Sequence, residues 1–140
     1  MTRTLAIIKP DAFATGKAGL ILAHLENAGF RVLATRVLHL TPAQAGTFYE
    51  VHRERPFYSS LVAFMTSGPC MPIALSRDDA VSTLRVVIGA TDPAQAAPGT
   101  IRKLYAESKE RNAIHASDSD DNASREIGFF FAQSDVLTGA

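Results

Sequence analysis

Proline and glycine cut this 140-residue chain into short pieces, and no apolar piece outgrows a strand or a three-turn helix. Residues 4–9 read as a buried strand stopped by Pro10. Residues 18–28 read as a helix, with Ile21, Leu25 and Ala28 at helical spacing and Gly29 as its stop. Residues 30–40 read as one long strand in which Phe30, Val32, Ala34, Leu38 and Leu40 face one way and Arg36 is the exception. Thr41-Pro42 is an N-cap followed by proline at the first helical position, opening a helix to about Val51. Residues 57–65 predict another helix, 71–75 an apolar strand, and 78–88 a helix closed by Gly89. Residues 92–99, with two prolines and a glycine, predict a loop, and 113–116 a short strand. The acidic stretch 118–122 opens a helix to about Phe130, where carboxylates suit the positive end of the helix dipole. Four strands with intervening helices predict an α+β sandwich with one sheet face covered by helices. The small, polar tail 132–140 is expected to fray.

The length suits a single domain, 1–140, able to bury about two-thirds of its unfolded surface without a disulfide or metal staple. Lys+Arg and Asp+Glu both number 14, so the basic excess of a protein that grips a phosphate backbone is missing, and nucleic acid is disfavoured as the principal partner. The lone Cys70 has no mate within the chain and fits a reducing compartment. No apolar run approaches the roughly 18–20 residues of a membrane span. The stretch before Lys9 is too short for a signal-peptide core. A cytoplasmic protein without a membrane partner is the expectation.

Neither glycine-rich phosphate cradle, G-x-x-x-x-G-K-[ST] or G-x-G-x-x-G, is present. The run Asp118-Ser-Asp120-Asp-Asn122 opens like a calcium loop but places Ala123 where glycine is required and Phe129 where glutamate is required. No histidine pair has metal-binding spacing, so no protein-bound metal is expected. Of the histidines, His24 and His39 suit surface positions on a helix and a strand. His115 differs in having small neighbours, Ala116 and Ser117, that leave room for a substrate. Lys9 ends an apolar strand, where it is either a terminal gatekeeper charge or an anion-binding group at the mouth of a sheet. Arg85 and Arg102 flank the loop between Gly89 and Gly99, and a guanidinium fork matches phosphate oxygens, although a solvated surface role is the commoner one. Thr91 adds a hydroxyl. Tyr49 and Phe57 bracket the basic stretch His52-Arg53-Glu54-Arg55, where an aromatic ring either joins the core or stacks on a base.

At these residues the chain resembles the nucleoside diphosphate kinase family. The matching strings are Ile8-Lys9-Pro10-Asp11-Ala12, Arg55-Pro56-Phe57-Tyr58, Thr66-Ser67-Gly68-Pro69, Ile88-Gly89-Ala90-Thr91-Asp92-Pro93, Pro98-Gly99-Thr100-Ile101-Arg102 and Asn112-Ala-Ile-His115-Ala-Ser117-Asp118-Ser119. The resemblance implies a ferredoxin-like α/β (α+β) sandwich with a four-stranded antiparallel sheet and helices packed around it. It implies transfer of the γ-phosphate of a nucleoside triphosphate, mainly ATP, to a nucleoside diphosphate through a phosphohistidine, by ping-pong kinetics. On that basis His115 is the nucleophile, supported by Glu126 and Ser117. Lys9, Arg85, Thr91 and Arg102 hold phosphates, Phe57 stacks on the base with Leu61 nearby, Asn112 and Lys9 reach the ribose, and Tyr49 positions Lys9. Mg²⁺ comes bound to the nucleotide. The resemblance also implies a homo-oligomer. A tetramer is favoured over a hexamer or dimer, because the C-terminus lacks the Tyr-Glu ending of eukaryotic hexamers.

The chain departs from the family pattern at Ala116, where glycine is usual and a methyl group could crowd the phosphorylated ring, at Asp92, and at Lys109. None removes a chemical group the transfer needs. The competing function is a catalytically impaired nucleotide-binding or nucleic-acid-binding module on the same scaffold.

Overall fold

The strand that organises the molecule is β1 (Thr2–Ile8), whose residues 5–8 have no exposed surface at all. Leu5 and Ile7 enter one hydrophobic core, Ala6 and Ile8 the other, as expected of a central strand covered on both faces. The computed structural model describes residues 1–138. β1 pairs antiparallel with β3 (Met71–Arg77) from Thr2↔Arg77 to Ile8↔Met71 and with β4 (Ile114–Ala116) from Ala6↔Ala116 to Ile8↔Ile114. β2 (Arg31–Thr35) pairs antiparallel with β3, giving the order β2-β3-β1-β4 of a ferredoxin-like sheet.

Helices cover both faces of this sheet, not one. Under the first lie α2 (Ala18–Asn27) and α5 (Ala80–Ile88), which bring Ile21, Leu25, Leu84 and Ile88 against Ala6, Ile8, Ile73, Leu75 and Ile114. Against the second lie α3 (Pro42–Phe48), α4 (Tyr58–Met65) and α7 (Asp120–Phe130), which bring Phe48, Met65, Ile127 and Phe130 against Leu5, Ile7, Leu33 and Ala74. All three helices of the second layer are legible in the sequence, but the face of the sheet each one covers is not, because it depends on contacts with distant strands.

Three other expectations need correction. The strand from residue 30 stops at Thr35, with only an isolated bridge beyond it between Leu38 and Cys70. A bulge between Val32 and Ala34 shifts the register, so Phe30 and Val32 join the first core and Ala34, Leu38 and Leu40 the second. One extra residue thus reverses a period-two pattern that looks uniform on paper. Two short helices also went unread: α1 (Pro10–Ala14), which Pro10 starts rather than merely ending β1, and α6 (Ile101–Tyr105), capped by Thr100 accepting the Lys103 N–H at 3.3 Å. The tail is tied down as far as it is described. Gln133–Asp135 is a 3₁₀ turn, Val136 is buried, and the Leu137 N–H donates to the Leu33 carbonyl at 3.1 Å. Gly139 and Ala140 lie outside the described residues.

Candidate active site

Alternation along β4 decides what His115 can do. Ile114 and Ala116 point into the first core, so the ring of His115 emerges on the opposite face, 19% exposed. The Ala116 methyl group therefore packs in the core beside Ala6 and does not crowd the ring. Phe48 and Tyr49 meet the ring edge-on, at centroid distances of 5.6 and 6.3 Å. Its Nε2–H donates to Glu126 Oε1 at 2.8 Å, and the Ser117 hydroxyl donates to the same oxygen at 2.7 Å. Glu126 reaches this place because Ala123, Glu126, Ile127 and Phe130 form the buried face of α7, which Ser119 caps by accepting the Asn122 N–H. Burial pushes the Glu126 carboxyl up, but the bonds from His115 and Ser117 and the charges of His115 and Arg125 outweigh it and leave it below its ordinary range.

Ile7 pairs with His115, and Lys9 follows Ile7 on the same face. The Lys9 ammonium, almost entirely buried, donates to Asn112 Oδ1 at 2.9 Å. Burial, then the charge of Arg102, pull its pKa down to about 8, and the Asp11 carboxylate works against them. Arg102, on α6, donates to the carbonyls of Gly89 (3.1 Å), Asn112 (3.3 Å) and Ile114 (2.7 Å). It is thereby fastened to the residue next to His115. Burial, then the charge of Arg85, lower the Arg102 pKa to about 10, so it stays cationic at neutral pH.

Arg85 and Arg102 both line a cavity of about 430 Å³ together with Gly89, Ala90, Thr91 and Thr100. Asp118 is held below its ordinary range chiefly by the Asn122 amide, with the charges of Arg85 and His115 acting in the same direction. The extra carboxylate of Asp92 has one oxygen engaged within the loop, Oδ1 accepting the Ala94 N–H at 3.0 Å. Gly89 has φ +89° and ψ 179°, a region that only glycine occupies readily. A Cβ there would stand 2.5 Å from Thr100 Oγ1. Gly89→Ala is therefore expected to destabilise the fold by roughly 2–4 kcal/mol and to displace Arg102, combining backbone strain with overpacking. A urea titration beside an activity assay checks this; a variant as stable and active as the parent would contradict it.

Phe57 is half exposed and sits 5.4 Å from His52, whose ring stacks on Tyr49 at 6.5 Å. The Leu61 N–H donates to the Phe57 carbonyl, so Leu61 stands one turn further along α4, partly buried. Among the described residues the Tyr49 hydroxyl makes no hydrogen bond, and its proton is held more tightly than usual by burial and then by the charge of Glu126. Lys9 is held by Asn112 instead. His39 is satisfied by the Thr66 carbonyl at 2.7 Å, and Lys109 is exposed. The sequence reading passed over Asp11, whose Oδ2 accepts the Ala113 N–H at 3.0 Å, and Arg125, 3.5 Å from Glu126 Oε2. No group of three or more His, Cys, Asp or Glu side chains that could hold a metal ion occurs among the described residues.

A family model described as nucleoside diphosphate kinase matches residues 2–136. The chain belongs to the nucleoside diphosphate kinase family. A nucleoside diphosphate kinase of Chlorobium chlorochromatii (strain CaD3) is 56% identical over 137 residues, covering 98% of each chain. The crystal structure of the Aquifex aeolicus nucleoside diphosphate kinase superposes with a TM-score of 0.95 at 45% identity, covering 97% of this chain and 99% of that one. A halophilic nucleoside diphosphate kinase from Halobacterium salinarum, solved with CDP, gives 0.92 at 35% identity, covering 99% of this chain and 92% of that one. Nucleoside diphosphate kinases work with a divalent cation alongside the nucleotide.

Proposed function

We propose that this chain is a nucleoside diphosphate kinase that passes the γ-phosphoryl group of a nucleoside triphosphate, mainly ATP, to a nucleoside diphosphate through a phosphohistidine on His115. One observation carries the reading: the Nε2–H of His115 is tied to the buried Glu126 carboxylate, which leaves Nδ1 with its lone pair and no hydrogen-bond partner among the described residues. Neutral imidazole is already nucleophilic, so no general base is needed. Nδ1 attacks the γ-phosphorus; an N–P bond forms while the P–O bond to the β-phosphate breaks, and the electron pair leaves on the nucleoside diphosphate. A second diphosphate then runs the step in reverse. The ring becomes positive as the N–P bond forms, and Glu126, braced by Ser117, stabilises that charge.

The transferring group carries its charge on peripheral oxygens, so alignment and positive charge supply most of the catalysis. Lys9, Arg85, Arg102 and the Thr91 hydroxyl serve this purpose. Mg²⁺ arrives with the nucleotide, held by phosphate oxygens. Phe57 and Leu61 take the base by stacking, Asn112 and Lys9 take the ribose, and Tyr49 walls the His115 ring while Asn112 positions Lys9. The same reading makes residues 1–140 one domain, cytoplasmic, and a homo-tetramer. Among the described residues no helix is long and apolar enough to cross a membrane, and exposed Val37, Val86 and Leu104 are available to subunit contacts. Light scattering in solution tests the assembly.

The test of the chemistry is label transfer. Protein incubated with γ-labelled ATP should carry acid-labile, base-stable phosphate on His115, discharged by any nucleoside diphosphate, and initial rates should give parallel double-reciprocal lines. Intersecting lines or no trapped label would refute the scheme.

Lys9 supplies a pH dependence. With its pKa near 8 in the free protein, it loses its charge as pH rises past that value, so kcat/KM should fall about tenfold per unit above pH 8. Bound phosphate favours the ammonium, so the corresponding limb of kcat lies at higher pH. Stability moves the other way: between pH 8 and the ordinary lysine value of 10.5 the unfolded chain binds more protons at this site, so the Lys9 contribution to stability rises with pH. A kcat/KM profile flat to pH 10 would contradict the assignment.

A further inference from the structure

Ala113, two residues before His115, has φ +74°, in the left-handed region that residues other than glycine seldom enter. The Ile114 N–H donates to the Asn112 carbonyl at 2.9 Å, closing a three-residue γ-turn of the strained, positive-φ kind. Such a conformation persists only where its surroundings over-determine it. Arg102 holds the carbonyls on either side of Ala113, and the Lys9 N–H holds the Ala113 carbonyl at 2.9 Å. The remaining group, the Ala113 N–H, goes to Asp11 Oδ2 at 3.0 Å, a bond between residues 102 apart in the chain. A carboxylate in the first turn of α1 suits the helix dipole, but a dipole does not require it to be 4% exposed and aimed at the lead-in to β4.

We infer that Asp11 is a positioning residue for phosphoryl transfer: by holding the Ala113 N–H it locks the strained turn, so that the His115 ring and the Asn112 amide keep a fixed geometry relative to Lys9. The inference rests on the phosphohistidine reading of His115. A second effect follows from charge. Lys9 is faced by the Arg102 guanidinium and the Asp11 carboxylate, and Asp11 is the one of the pair that favours its protonated form.

Asp11→Ala, Asp11→Asn and the double variant Asp11→Ala with Ala113→Gly, each in the full chain, separate these effects. Single-turnover labelling by γ-labelled ATP, steady-state kcat and KM, and the pH profile of kcat/KM are measured on all three and on the parent. Asp11→Ala should label His115 about 10²-fold more slowly, with the loss in kcat rather than KM, because misalignment and not ground-state binding is disturbed. Asp11→Asn should regain about tenfold of that loss, since its amide oxygen accepts the same N–H, but its alkaline limb should begin at lower pH. Glycine at 113 adopts positive φ without strain, so the double variant should be faster than Asp11→Ala. Labelling of Asp11→Ala within about threefold of the parent rate would overturn the proposal, as would an Asp11→Asn variant as slow as Asp11→Ala. Should Asp11→Ala fail to fold, Asp11→Asn decides alone: it should label about tenfold more slowly than the parent, and labelling at the parent rate overturns the proposal. A parent chain that never carries phosphate on His115 defeats the phosphohistidine reading itself, and this inference with it.

Discussion

His115→Ala should end turnover, by at least about 10⁴-fold, and leave no acid-labile phosphate on the protein, while the chain stays folded. The loss is large because the covalent step has no second candidate. The neighbours of the ring are a phenyl group, a phenol whose proton is held more tightly than usual, and a weakly nucleophilic carboxylate hydrogen-bonded to Ser117, and none replaces the imidazole lone pair. The fold survives because the ring lies at the edge of the second core, against Phe48 and Tyr49, with 19% of its side chain exposed. What changes is Glu126, which loses one hydrogen-bond donor and one stabilising charge but keeps Ser117 and Arg125. Its carboxyl should move up toward its ordinary range, so the stability it confers is lost at a higher pH on acidification than in the parent. Assays of ATP with dTDP, together with circular dichroism, check both halves. Activity above about 1% of the parent would sink the nucleophile assignment.

Arg102→Ala should show the other large effect, and in two quantities at once. As one of the cations proposed to hold the phosphates, its loss should lower kcat/KM by about 10²–10³-fold. As the donor to three carbonyls, its loss should also destabilise the protein by roughly 2–4 kcal/mol, because the Ile114 carbonyl loses its partner and the Asn112 carbonyl keeps only the Ile114 N–H. Arg102→Lys separates the two roles. It keeps the charge, but a single ammonium cannot reproduce a fork aimed at several oxygens, so activity should recover only in part and stability hardly at all. Equal stability of Arg102→Ala and the parent in urea would show that the carbonyl bonds do not hold the loop.

Much of the site could be read before any fold was known. Lys9 at the end of an apolar strand is open equally to a gatekeeper and an anion-binding role, the two arginines around a proline-rich loop more readily suit solvated surface, and a histidine among small residues shows only room for a substrate; the resemblance assigns their roles. Glu126 was assigned through that resemblance, yet it also carries its own mark: a charged residue in register with Ala123, Ile127 and Phe130 on the buried side of a helix. Asp11 carries a weaker mark, since an acid in the first turn of a helix normally needs no further explanation. Its role shows only when Ala113, 102 positions away, is seen to need a partner.

Local patterning was enough for the short strands and for the helices with caps and glycine stops, because each of these depends on neighbours within a few positions. The covering of both sheet faces, the bulge that reverses β2 and the pinned turn ahead of His115 are set only by the folded chain. Each depends on groups distant in sequence meeting at hydrogen-bond range, and a residue's neighbours along the chain carry no information about that meeting.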